Sequence, residues 1–222
     1  MADLHDKREQ EKISAPAKPL ICKAPEFLRM DEKIAKSFDP KVVAIGPYHR
    51  GRAHLEPAED NKRAAALKFT SGSEHSIAEF YDKIRNVATE ARNFYADAFE
   101  LTEEEFALML FFDGCFVLHF IDCYIKGEME EVTMSTQLHG FIGRDMFLLE
   151  NQLPFVVLDA LMSLNKPVNL DKFFDEIIGT RLKPSSSALR APYHLLDLLR
   201  TKLLGPPENG RGQQQSGQGP AD

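Results

Sequence analysis

The sequence predicts an all-α fold, an irregular multi-helix bundle with at most one short strand near residues 42–45. Three observations carry that prediction. Apolar residues recur every three or four positions through much of the chain, most clearly over residues 74–98. Explicit start and stop signals bracket several of these segments. Only Val42-Val43-Ala44-Ile45 has a strand's composition, and Gly46-Pro47 ends it at once.

Taken in order, residues 1–19 alternate charge and run through Pro16 and Pro19, which reads as a disordered tail. Residues 20–204 read as one helical domain. Residues 205–222, rich in Gly, Pro and Gln, read as a second disordered tail. In the 74–98 segment Ile77, Phe80, Tyr81, Ile84, Val87 and Ala88 share one face. Glu79, Asp82, Lys83 and Arg85 take the other, and Glu79 and Lys83 are spaced for an i,i+4 ion pair. Thr102 followed by Glu105 is a capping box, with Glu103 and Glu104 suiting the helix dipole.

From Phe106 to Ile125 the chain reads FALMLFFDGCFVLHFIDCYI, long enough to cross a bilayer. Asp113, His119 and Asp122 offset its apolar residues on an insertion scale. A buried core helix is therefore the reading, with a membrane span as the alternative. Residues 134–150 form another helix, stopped at Glu150-Asn151-Gln152. Pro154 suits the first turn of a helix over 153–164 that is apolar all round and hence central. Leu170, Phe173, Phe174, Ile177, Ile178 and Leu182 make a short amphipathic helix before the Lys183-Pro184-Ser linker. Pro192 opens a last one, with Leu195, Leu196, Leu199 and Leu203 on one side.

Composition narrows the function classes. The net charge of -7, from 27 basic and 34 acidic side chains, argues against nucleic acid as a partner. Residues 97–150 hold twelve acidic and two basic side chains, a solvated face or an electrostatic docking surface. Three cysteines make no disulfide scaffold, and Cys115 and Cys123 are too far apart on one helix to bridge. A reducing, cytoplasmic setting follows, with no secretory signal, myristoylation or prenylation motif.

No phosphate-binding loop, dinucleotide turn, zinc motif or nucleophile elbow is present. Neither cofactor nor metal is expected, and catalytic residues are expected to be none. Cys115 has no base beside it, and His119 with Asp122 lacks a third ligand. Asp113, Arg144, Asp145, Glu150, Asn151 and Gln152 read as a structural polar network. A carboxylate within an apolar run needs a partner, so Asp113 is expected to pair with Arg144 across two packed helices. Glu150, Asn151 and Gln152 can satisfy the unpaired backbone groups of two abutting helix ends. The surface candidate is Gly46-Pro47-Tyr48-His49-Arg50-Gly51-Arg52. There Tyr48, His49, Arg50 and Arg52 form either a recognition loop for an acidic or phosphate-bearing partner, or a turn whose Tyr packs down.

Several blocks occur in a distinctive order: Ile21-Cys-Lys-Ala-Pro25, Leu28-Arg29, Ile45-Gly-Pro-Tyr-His49, Lys62, Ala91-Arg92 with Tyr95, and Asp113-Gly-Cys-Phe116. Arg144-Asp145, Leu148-Leu-Glu-Asn-Gln-Leu-Pro-Phe155 and His194-Leu-Leu-Asp-Leu198 follow. Over residues 20–204 the chain resembles the N-terminal half of the plant domain of unknown function 247 family, with Phe38 where Tyr is usual. The resemblance implies a helical plant protein, with full-length members about twice this long and anchored by a C-terminal transmembrane helix. Some grass members lie at self-incompatibility loci and are proposed to act in pollen recognition. No catalytic residues are established for the family. A non-enzymatic interaction protein with an unknown protein partner is thus expected. The alternatives are an enzyme with a cleft of dispersed Asp, His and Arg residues, or a truncated product without independent function. If a second half is missing, helices 153–164 and 192–204 should leave a broad apolar patch open.

Overall fold

The structure is a computed structural model, which describes residues 20–132, 136–179 and 191–205. The two tails and the linker after residue 179, apart from Leu20 and Gly205, lie outside the described residues. Nine α-helices follow in order among the described residues: α1 (Glu26–Arg29), α2 (Glu32–Phe38), α3 (Pro57–Ser71), α4 (Ile77–Arg92), α5 (Glu103–Lys126), α6 (Thr136–Asp145), α7 (Phe155–Met162), α8 (Leu170–Ile178) and α9 (Leu195–Leu204). The all-α prediction holds.

Helix α5 is the axis of the core, packed by α3, α4, α7 and α8. It is the one described helix long and apolar enough to cross a membrane, and 83% of its most apolar stretch is buried. Packing by neighbouring helices therefore accounts for its composition. Gly114 allows the closest approach: a Cβ there would lie 2.6 Å from Leu161 Cδ1 and 3.2 Å from Val157 Cγ1 of α7. Phe80 and Ile84 of α4, Phe116 and Phe120 of α5, and Phe173 and Phe174 of α8 are buried in the same core.

The capping box at Thr102 and Glu105 is present as read, with Glu105 N–H donating to Thr102 Oγ1 and Thr102 N–H to Glu105. Replacing Thr102 by Ala is expected to cost about 1 kcal/mol, read as a lower thermal midpoint. Helix α4 carries a second capping box, Ser76 with Glu79, that the sequence reading missed. It also displaces the expected Glu79–Lys83 pair: Glu79 instead accepts from Ser76 and contacts His75. Helix α4 stops at Arg92, short of residue 98, because Ile21 takes the next backbone groups in a parallel bridge. Ile21 N–H donates to Phe94 O at 2.7 Å, and Ala96 N–H donates to Ile21 O at 2.9 Å.

Three further boundaries shift for local reasons. Helix α6 ends at Asp145 because Asn151 and Gln152 side chains capture the carbonyls of Asp145, Met146 and Leu148. Pro154 is the N-cap of α7 rather than a residue within its first turn. Helix α9 starts at Leu195, capped by His194, whose Nδ1 accepts from Asp197 N–H.

The expected open apolar face on helices 153–164 and 192–204 is corrected for the first of them. Phe155, Val157, Leu158, Ala160 and Leu161 of α7 are buried, because α7 fills the space beside α4 and α5. On α9, Leu203 and Leu204 are exposed. The most exposed large apolar side chains elsewhere are Met30 (85%) and Phe27 (68%), on an N-terminal pair of helices with no fully buried residue.

Candidate functional site

Residues 42–45, the expected short strand, form none, and side chains satisfy the backbone of this irregular segment instead. The buried Asp145 Oδ2 accepts from the N–H groups of Lys41, Val42 and Val43 at 2.9, 2.7 and 3.2 Å. Asn151 accepts from Ile45 N–H at 2.7 Å and donates to Val43 O at 3.0 Å. Asp113 Oδ2 accepts from Gly46 N–H at 2.8 Å. One irregular segment thus has its backbone satisfied by three side chains from α5, α6 and the turn after α6. An unpaired buried backbone group costs as much as a lost hydrogen bond, so this arrangement is structural in effect.

The structure brings Asp113, Asp145, Asn151 and Gln152 to one junction, but the pairing differs from expectation. Asp113 pairs with Lys62 of α3, Nζ to Oδ1 at 2.6 Å, and both residues are 1% exposed. Glu59 approaches the same ammonium at 2.6 Å. Arg144 instead donates to Asp145 Oδ1 at 3.0 Å and to the carbonyls of Ser37 and Asp39. Sequence showed that Asp113 needed a cation without showing which. The available signal was Lys62 itself, on the same face of α3 as buried Ala58, Ala65, Ala66 and Phe69. Gln152 joins the network through Leu196 N–H, which donates to its Oε1, and through its own carbonyl, which accepts from Tyr95 O–H.

Glu150 is the hub of a second cluster. Its carboxylate accepts from Ala24 N–H and twice from Arg29 Nη2, each at 2.6 Å. Arg29 and Arg52 also pair with Asp39, at 3.3 and 3.1 Å. His49 lies fully buried between the carboxylates, Nε2 at 3.2 Å from Glu150 and Nδ1 at 3.9 Å from Asp39, with no aligned hydrogen bond at either nitrogen. Burial, then the Arg52 charge, holds its imidazole down to about 4.

The candidate recognition loop is thereby turned largely inward. Tyr48 O–H donates to Ile21 O and accepts from Asp97 N–H, its ring edge-on to Tyr95 and Phe99. Burial pushes that phenol up to about 12. His49 is interior and Arg52 is ion-paired, so of the four residues Arg50 alone is classed as exposed. Elsewhere, His119 sits 3.6 Å from Cys123 Sγ, while Asp122 pairs with Lys126. Burial favours the uncharged forms of both, pushing the Cys123 thiol up to about 11 and His119 down, the reverse of an activated thiolate. Burial also pushes Cys115 far up. Among the described residues no group of three His, Cys, Asp or Glu side chains is placed to hold a metal.

A groove of about 650 Å³ runs between α4 and the start of α5, lined by Arg85, Asn86, Thr89, Arg92, Glu103 and Glu104 among others. It touches neither polar cluster. Arg92 is already engaged there, stacked on Phe99 and Phe106 and donating to Leu101 O.

The sequence profile of the DUF247 family, described as a plant protein of unknown function, matches residues 21–221. The chain belongs to this family. It is 28% identical over 166 residues to UPF0481 protein At3g47200 of Arabidopsis thaliana, covering 72% of this chain and 31% of that relative. It is 26% identical over 144 residues to Putative UPF0481 protein At3g02645 of the same plant, covering 64% and 25%. The DUF247 chain thus spans about a third or less of the length of these curated relatives. No solved structure matches it significantly. The sequence blocks that suggested this DUF247 membership converge in space: Ile45-Gly46, Tyr95, Asp113, Asp145, Asn151 and Gln152 meet at one junction, with Arg29, His49 and Glu150 beside it.

Proposed function

We propose that this DUF247 chain is a non-enzymatic protein-recognition module whose polar clusters lock the fold rather than perform chemistry. The observation that carries the reading is the use of the polar side chains buried among apolar ones. Asp113, Asp145, Asn151 and Gln152 are bonded to backbone groups in the interior, Asp113 also to Lys62, and the groove of about 650 Å³ lies away from them, between α4 and α5. Exposed apolar side chains lie instead on the first two helices, Phe27 on α1, Met30 just after it and Ile34 on α2. In its finer form the proposal is signalling or recognition in plant cells, the role suggested by the family's grass self-incompatibility members. A cytoplasmic setting for this part of the chain is supported by its three free cysteines, two of them buried.

The test is affinity capture from plant extract with the chain and with a Phe27→Asp/Met30→Asp variant. Proteins captured by the first and lost with the second, at equal thermal midpoints, are expected. An identical set of captured proteins would overturn the assignment to α1 and α2.

A further inference from the structure

The N-terminal segment is attached to the body in an unusual way. No residue of α1 or α2 is fully buried. Between the buried Ile21 and Pro40 only Ala24 is buried, and polar contacts tie down the rest of the segment. Lys23 N–H donates to Asp97, Ala24 N–H and Arg29 donate to Glu150, and Arg144 donates to the carbonyls of Ser37 and Asp39. Beneath it lies His49, 1% exposed, with both ring nitrogens lacking an aligned hydrogen bond.

We propose that residues 22–39 are an acid-released clasp, in which lifting of this segment from the helical body is coupled to proton uptake by His49.

The charges around the imidazole set the coupling. Facing it are Glu150 from the turn after α6, Asp39 from the end of α2, Arg29 from α1 and Arg52 from its own loop. Two carboxylates and two guanidinium groups balance, so a neutral imidazole leaves the cluster uncharged, with His49 and Glu150 buried and Asp39, Arg29 and Arg52 half-buried around them. A proton added in place puts a charge on the buried ring itself, the costly outcome for a buried ion. Lifting the clasp removes Asp39 and Arg29 from above the ring and admits water, and the hydrated imidazole then takes the proton freely.

The direction follows from linkage. His49 titrates near 6.5 when hydrated and near 4 when the clasp is closed. The open form therefore binds more protons throughout that window, and closure weakens as pH falls through it. Above the window the clasp is shut at full strength. Asp39 acts in the same direction at still lower pH: burial works against its ionisation, yet Arg52 and Arg29 hold its carboxyl below the usual range. His54 also touches the segment's end, its Nε2 3.2 Å from Pro40 O, and serves as a control. None of this depends on the recognition reading above, because the test observes opening of the clasp itself.

Hydrogen exchange measured by mass spectrometry on the full chain, from about pH 7 to about pH 4.5 and corrected for intrinsic chemistry, resolves clasp and core peptides separately. The opening constant of peptides within 22–39 is expected to rise by up to about tenfold per pH unit below His49's hydrated value, with α5 peptides unchanged. His49→Gln should flatten that dependence, and His54→Gln should leave it intact. A flat wild-type profile, clasp and α5 opening together, or a slope that survives in His49→Gln would overturn the proposal. If His49→Gln does not fold, the His49 ring proton followed by NMR in the wild-type chain decides instead. Titration in step with the clasp amides supports the coupling, and titration with those amides unmoved refutes it.

Discussion

Lys62→Met is expected to lower the unfolding free energy by about 3–5 kcal/mol, the cost of leaving one partner of a buried ion pair uncompensated. Methionine keeps the length and apolar stem of Lys62 but removes the charge that Asp113 faces at 2.6 Å. Asp113 is 1% exposed, and its other oxygen already accepts from Gly46 N–H, so it has no route to water. Burial raises its pKa even in the native protein, against the pull of Lys62. Without Lys62 the neutral acid becomes the favoured buried form, so the variant's deficit should shrink as pH falls.

The double variant Lys62→Met/Asp113→Asn separates charge from shape. Asparagine can still accept from Gly46 N–H, and the pair is now neutral on both sides. Most of the single variant's loss should return, since replacing both members of a buried pair is far milder than removing one. Urea titration followed by far-ultraviolet circular dichroism measures both, there being no Trp to report by fluorescence. Additive losses in the double variant would mean that Lys62 stabilises α3 by some route other than Asp113.

That pair marks where sequence reading succeeded and where it stopped. A carboxylate between Phe112 and Gly114 announces a need for a partner, and the need was met. The partner's identity is a matter of which helix lies against α5, and no local pattern encodes it. Arg144 was the plausible cation in sequence; in space its guanidinium is fixed by Asp145 next door and by two carbonyls before Pro40. The capping box at Thr102 was legible because both members lie within one turn. Ser76 and Glu79 have the same spacing, yet Glu79 also suited a pair with Lys83, and the cap won. Asn151 and Gln152 were correctly read as satisfying helix-end carbonyls. Asn151's donor at Ile45 was not foreseeable, because an irregular segment paired by side chains leaves no alternation to read. The Tyr48–Arg52 loop was left with two readings, and the turn whose Tyr packs down is the one found. Tyr, His and Arg suit a binding surface and a buried clasp equally well, and composition cannot tell which way they point.

Gly46→Ala is the second large effect, about 3–6 kcal/mol, and Gly51→Ala is its internal control. Both glycines sit in the left-handed region, at φ of 78° and 77°. An alanine in that conformation costs roughly 1–2 kcal/mol from backbone strain alone. Nothing lies within 4 Å of a Cβ built at Gly51, so strain is the whole expectation there. At Gly46 the Cβ would meet Gln152 O at 2.7 Å and Tyr95 Oη at 3.1 Å, both members of one hydrogen bond. The first is backbone and cannot swing aside, so the turn before α7 must shift and the Tyr95 bond is strained or lost. Overpacking of this kind adds about 1–3 kcal/mol, and the hydrogen bond about 1 kcal/mol. The difference between the two variants thus isolates the contact of the Ile45-Gly46-Pro47 turn with Gln152, the point where the two most distinctive sequence blocks of this chain touch. Equal losses at the two glycines, measured as urea midpoints at constant slope, would show that this contact yields without cost and that the junction is looser than its distances imply.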